Sequence, residues 1–375
     1  AAARPPVPRA TVDLDLPPAQ RFNAAAAAVS PAAVRALVAL FNKTTFSHVP
    51  PAAIDALSIA MQTHWPEHYA EVMGIADALG LPPSVAVGWS WYHDLAHTDW
   101  VVDGQAAARR REGDGGDGDG DAAAAPSGHR ECTGLLLADA AGNVVHGRNL
   151  DDPGSHLIRP LALHLTFTRG GATVWESVGW YWIGGTLETL VLPGTITLEE
   201  NWRTVTTSGK ALLAAAARGV GSQGYLYRRA AEYALSRGPT PWDDVLHFVG
   251  TEPVVSAFYI IASGPGPRQG AVVTRAAIDE APGAVAWPVV TLDANATDGW
   301  FLAQTNYDRW LPDPKSDPRR TVAIAKLRAV GQAAAATDGG AACVAATHPV
   351  YNGDTIFTAI MHATRGIVAT YMGTS

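Results

Sequence analysis

The chain has 375 residues, 47% hydrophobic and 17% charged, enough for a sizeable core in a catalytic domain with an accessory piece. A formal net charge of −8 and a pI of about 5.8 give no sign of a nucleic-acid partner. Two cysteines cannot build a disulfide framework or a cysteine-rich zinc site, and no 18-residue uncharged apolar stretch suggests a membrane span. The opening AAARPP, without methionine, is expected to be a mature start after a removed signal peptide. Two tripeptides, at Asn42 and Asn295, have the N-glycosylation pattern and fit a secretory route.

In chain order, residues 1–102 are expected to be a helical N-terminal region. FNAAAAAVSPAAVRALVALFN (22–42) is Ala-rich, with Ser30-Pro31 as a helix start. Apolar residues at helical spacing continue over 50–80, interrupted at Pro66, and another helix begins within 81–97. These faces are expected to pack as core, with contact to lipid as the sharper alternative. Residues 103–131 change character. Arg109-Arg110-Arg111 is followed by Glu112, Asp114, Asp117, Asp119 and Asp121 spaced by glycines, the composition of a flexible acidic linker. Counting a calcium loop from Asp117 puts Gly128 where a glutamate is needed, so a solvated linker is the better reading.

From Cys132 onward the texture is β-rich. TGLLLAD and VVHGRNLD flank a turn at AAGN, and a second hairpin turns at Arg169-Gly170-Gly171. A third turns at Pro193-Gly194 within TLETLVLPGTITLEEN. Helices are expected at 223–236, 241–249 and 319–333, and strands over VVSAFYIIAS, GAVVTR, VVTLDA, GWFLAQTNY, TIFTAIMHAT and GIVATYM. Antiparallel strands in two groups separated by helices predict stacked sheets with helices outside. Ser263-Gly264-Pro265-Gly266-Pro267 lacks a following Lys-Ser/Thr and is a turn, not a phosphate loop.

Cys132 opens the first strand after the linker. The hairpin folds back so that Arg148 and Asp151 come beside it, in the polar run His146-Gly147-Arg148-Asn149-Leu150-Asp151. Taken singly, a buried cysteine, a hairpin ion pair and a turn asparagine are ordinary structural features. Together they suggest a nucleophile with its electrostatic surroundings. His146 is expected to be structural.

Three blocks carry a resemblance. CTGLLLADAAGNVVHGRNLDDP, QTNYDRWLPDPKSDPRRTVAI (304–324) and YNGDTIFTAIMHA (351–363) resemble the family of N-acylethanolamine-hydrolysing acid amidases and acid ceramidases, within the choloylglycine-hydrolase group of N-terminal-nucleophile hydrolases. The resemblance implies an α+β fold, a four-layer αββα sandwich over 132–375, with residues 1–102 as the smaller subunit. It implies self-cleavage between Glu131 and Cys132, which makes Cys132 an N-terminal nucleophile whose α-amine acts as base. An unperturbed α-amine titrates near ~7.7–8.0, within range of that task. It further implies that Asp151 orients the new amine, Arg148 stabilises thiolate or positions the carbonyl, Asn306 lends an oxyanion donor and Arg319 is the late active-site arginine. Glu200 matches the family's glutamate near the scissile site, with Glu199 as the alternative.

His-Gly-Arg-Asn-Leu-Asp-Asp-Pro resembles the amidase branch, whereas TLEEN leans toward ceramidase. Ceramidases join their two pieces by a disulfide, and residues 1–131 contain no cysteine to make one. The expected activity is hydrolysis of the linear amide of N-acylethanolamines or related fatty-acid amides. Acid ceramidase is the alternative, and a lipid-amide binding protein is the non-enzymatic one. The expected partners are the lipid amide, a membrane or micelle touched by the helical subunit, and the chain's own second fragment. No metal or cofactor is implied, and the expected location is lysosomal or extracellular.

Overall fold

The computed structural model describes residues 4–111, 132–238, 241–280 and 287–374. Thirteen strands are found there: β1 (Arg9–Asp13), β2 (Thr133–Ala138), β3 (Val144–Asp151), β4 (Leu163–Arg169), β5 (Ala172–Gly179), β6 (Thr189–Leu192), β7 (Ile196–Trp202), β8 (Phe258–Ser263), β9 (Gly270–Arg275), β10 (Val290–Thr291), β11 (Phe301–Gln304), β12 (Thr355–His362) and β13 (Gly366–Met372). They form an eight-stranded sheet in the order β1-β4-β5-β6-β7-β8-β9-β10 and a five-stranded sheet in the order β11-β2-β3-β12-β13.

Period-2 alternation with apolar residues on both faces stacks these sheets. In β2, Leu136 and Ala138 meet Tyr259, Ile261 and Val272 of the other sheet, while Leu135 and Leu137 pack against the helices Arg319–Val330 and Asp338–Ala345. In β8, Phe258, Ile260 and Ala262 turn outward, into one cluster with Leu226, Tyr227 and Ala230 of the helix Gln223–Arg237. The layers therefore run helix, sheet, sheet, helix, the expected αββα sandwich. Gly134 faces the other sheet at short range: a Cβ there would lie 2.3 Å from Glu199 Oε1 and 3.0 Å from Ile261 Cγ1. Only glycine lets that buried carboxyl fit under β2.

The N-terminal helices break where proline and capping chemistry dictate. Ser30 Oγ accepts from Ala32 N (3.2 Å) and starts the helix Pro31–Thr44. Pro51–His64 gives way to Pro66–Leu79, and Pro83–Ser90 is followed by Tyr92–Ala96. Two features differ from the sequence-based expectation. Arg9–Asp13 is a strand, pairing parallel with β4, so the helical region also supplies the edge of the larger sheet. The segment 103–111, expected to start the linker, lies within the helix Asp99–Arg111. Its Gln-Ala-Ala-Ala run favours helix, and Gln105 Nε2 donates to Thr44 O (2.8 Å). The acidic part of the linker, its calcium-loop residues and Glu131 lie outside the described residues. Among the described residues no single helix is long and apolar enough to cross a membrane.

Candidate active site

Cys132 lies one residue before β2, and the antiparallel register sets Gly134 opposite Arg148. Arg148 therefore projects between the sheets on the cysteine's side, with Nη2 3.7 Å from Cys132 Sγ. The guanidinium is fully buried. It donates to the carbonyls of Glu188 and Glu200 (3.2 Å for the latter) and to Thr189 Oγ1 (2.6 Å). Burial opposes its charge, but the surrounding Cys132, Glu199, Glu188 and Glu200 hold its pKa above the ordinary value.

Asp151 ends β3 on the opposite side of the strand from Arg148. Its Oδ2 accepts from Asn352 Nδ2 (3.1 Å) and lies 3.4 Å from Arg319 Nη1. Burial pushes its pKa up to about 7, against the pull of Arg319. Arg319 is the first residue of its helix and, besides Asp151, reaches several partners at once. Nη1 donates to Cys132 O (2.9 Å), Nη2 to Asn306 Oδ1 (2.9 Å), and Nε and Nη2 grip Asp317 (2.8 and 2.7 Å). Asn306 Nδ2 in turn donates to Trp202 O (2.9 Å). Cys132, Arg148, Asp151, Asn306 and Arg319 thus form one connected, buried network at the ends of the central strands.

The two glutamates of TLEEN part company. Glu200 lines the pocket in front of Cys132, and burial lifts its pKa to about 7. Glu199 points between the sheets, where His146 Nε2 lies 2.9 Å from its Oε2. Burial pushes this carboxyl well up and His146 down to about 3, both shifts favouring the neutral forms, and His146 Nδ1 is 2.7 Å from Thr197 Oγ1. The geometry places His146 in a structural tie between the sheets. Asn42 is exposed near the end of the helix Pro31–Thr44, and Asn295 is exposed in the turn before β11.

Four neighbours escape a linear reading. Asn352 and Asp317 position Asp151 and Arg319, and both lie inside the motif blocks that carry other site residues. Glu188 sits under Arg148, accepts from Trp180 N (2.7 Å) through Oε1, and has its pKa raised by burial to about 8. No spacing in TLETL marks it. His93 reaches the pocket from the N-terminal region. The pocket holds about 50 Å³ and is walled by Cys132, Asp151, Glu200 and the helix Tyr92–Ala96, with Trp180, Tyr181 and Trp202 around them.

No family model matches the chain. N-acylethanolamine-hydrolyzing acid amidase of Mus musculus is 31% identical over 62% of this chain and 60% of its own length. The Cavia porcellus amidase is 29% identical over 96% of this chain and 88% of its length. Acid ceramidase of Mus musculus is 26% identical over 97% and 85%. The chain is similar to N-acylethanolamine-hydrolysing acid amidases and acid ceramidases. It spans about 60% of the length of the mouse and rat amidases it matches. A solved structure of the Caenorhabditis elegans N-acylethanolamine-hydrolyzing acid amidase ortholog superposes with a TM-score of 0.54 at 24% identity, over 64% of this chain and 99% of that chain. That likeness shows a shared fold.

Proposed function

We propose that this chain is a self-cleaving cysteine amidase acting on the linear amide bond of N-acylethanolamines or related fatty-acid amides. One observation carries the reading. Cys132 stands at the buried start of a central strand, its sulfur beside Arg148 and its carbonyl held by Arg319. In the first step Sγ attacks the Glu131 carbonyl, the peptide bond shifts to a thioester, and the released α-amine takes the thiol proton. Water then hydrolyses the thioester and leaves Cys132 as a new N-terminus.

In turnover the α-amine accepts the thiol proton and the thiolate adds to the substrate carbonyl. Asn306 stabilises the developing oxyanion, Asp151 holds the α-ammonium, and Arg148 stabilises the thiolate. The ammonium returns its proton to the departing amine. Water, deprotonated by the α-amine, releases the fatty acid. Glu200 lines the pocket at the scissile amide. The two fragments stay together as a heterodimer, with the helical piece facing a membrane or micelle, in a secretory, lysosomal or extracellular setting. Glycans at Asn42 and Asn295 belong to the same setting.

The test is intact mass after incubation at acidic pH, with fatty-acid release measured in parallel. A fragment starting at Cys132, absent in Cys132→Ala, supports the reading. Turnover or cleavage that survives Cys132→Ala defeats it. Acid ceramidase is the second reading, favoured by an alignment to the mouse ceramidase that spans 97% of this chain. N-palmitoylethanolamine and ceramide assayed side by side separate the two, and binding without release would point to a lipid-amide carrier.

A further inference from the structure

His93 is 6% exposed, yet among the described residues neither of its ring nitrogens has a hydrogen-bond partner. Leaving such groups unmet is costly, so native proteins rarely do it without a ligand or water. The ring stands on the pocket wall that faces Cys132. Its Nε2 lies 3.4 Å from Glu200 Oε2, an oxygen that also has no hydrogen-bond partner. Aromatic neighbours hold the ring from the sides, His97 at 5.1 Å and Tyr181 at 6.2 Å between centroids, both edge-on. Burial keeps the imidazole neutral, down to a pKa of about 4, so it offers one donor and one acceptor.

The pocket's lining has polar and apolar members, Asp151, Asp152 and Glu200 among the first, and Leu150, Trp180 and Trp202 among the second. An acyl chain suits the second group and cannot satisfy His93. A small polar amine portion can. We propose that His93, with Glu200 beside it, binds the hydroxyl on the amine portion of the amide substrate, making the N-terminal region a specificity element of the site. This inference rests on the amidase reading and names the part of the substrate recognised by that same pocket.

The experiment compares N-palmitoylethanolamine with N-propylpalmitamide, in which a methyl group replaces the hydroxyl. The wild-type protein is expected to favour the ethanolamide by about tenfold or more in kcat/KM, the scale of one hydrogen bond to a buried group. In His93→Phe the preference should fall to about one, through a higher KM for the ethanolamide. The propylamide's kcat/KM should change far less than the ethanolamide's, and the Cys132 fragment should still appear. His93→Ala carries the same test if the phenylalanine variant does not fold. A preference that persists in a folded variant, or is missing from the wild type, overturns the assignment. Turnover of neither amide by the wild type would instead overturn the amidase reading, and the hydroxyl assignment with it.

Discussion

Arg148 is fully buried, so two backbone carbonyls, a threonine hydroxyl and the Cys132 sulfur surround its planar fork. That geometry distinguishes it from a lysine, whose single ammonium cannot reach from Glu188 to Cys132 at once. In Arg148→Lys the charge remains but the fork is lost. Self-cleavage is expected to slow, and kcat/KM to fall by about 100-fold, the order seen when one preorganised donor is removed. Intact-mass time courses and steady-state kinetics read the two effects, and unchanged rates would mean that charge alone suffices. The position of this residue is legible in the sequence. A strand, an AAGN turn and a returning strand bring Arg148 beside Cys132 by local register alone. Asn306 and Arg319 are legible only as motif members, because 13 residues and a helix start separate them and their hydrogen bond is a tertiary event. His93 and Glu188 give no sequence signal, since what distinguishes them is the burial of their polar atoms.

At the scale of elements, the N-terminal region is sewn to both sheets. Pro5 O accepts from Met372 N at the edge of the five-stranded sheet, and Arg9–Asp13 then pairs with β4 of the eight-stranded one. RATVD is short, and its partner lies some 155 residues away, so nothing local marks it as a strand. The long hairpins, by contrast, carry their own turns: Gly170 and Gly171 adopt φ of 57° and 74°, which favours glycine. The second tie is ionic. Glu71 from the helix Pro66–Leu79 takes both Arg228 nitrogens, at 2.9 and 3.0 Å, and also Arg21 at 2.9 Å. Burial works against the Glu71 carboxylate, but Arg228 and His68 bring its pKa to about 2. With no disulfide available, such contacts are what would hold the two fragments. Glu71→Gln leaves buried Arg228 with only the half-exposed Glu232, at 3.6 Å, as a charge partner and should destabilise the protein by about 3–5 kcal/mol. Replacing both, as Glu71→Leu with Arg228→Met, should recover most of that loss. Denaturant melts measure both variants, and a Glu71→Gln protein as stable as the wild type would show the pair to be dispensable.

For the whole molecule, the buried carboxyls make stability depend on pH. Asp151 and Glu200 titrate at about 7, Glu188 at about 8 and Asp152 at about 6, all lifted chiefly by burial. In the unfolded chain the same groups titrate near ~4. Between those values the folded protein binds more protons than the unfolded one, so its stability falls as pH rises from about 4 to about 8. His93 at about 4 and His146 at about 3 act the other way, costing stability as pH drops below ~6.5. Glu71 at about 2 adds a loss below ~4.5. Where the windows overlap, these four carboxyls outweigh the two histidines, and above ~6.5 the opposing histidine contribution is gone. The uncleaved Cys132→Ala protein should therefore melt highest near pH 4 and lose several degrees by pH 8, at about 1.4 kcal/mol per group per pKa unit before screening and coupling. Glu188→Gln keeps an acceptor for Trp180 N and removes the carboxyl that titrates highest among the four, so it should flatten the curve mainly above pH 6. Cleavage should flatten it further, because an ammonium beside Asp151 stabilises the carboxylate and brings its pKa down. Thermal melts of the three proteins across pH 4–8 measure this. A wild-type curve that climbs toward pH 8 would mean that these carboxyls are ionised in the fold, and that water reaches them despite their burial.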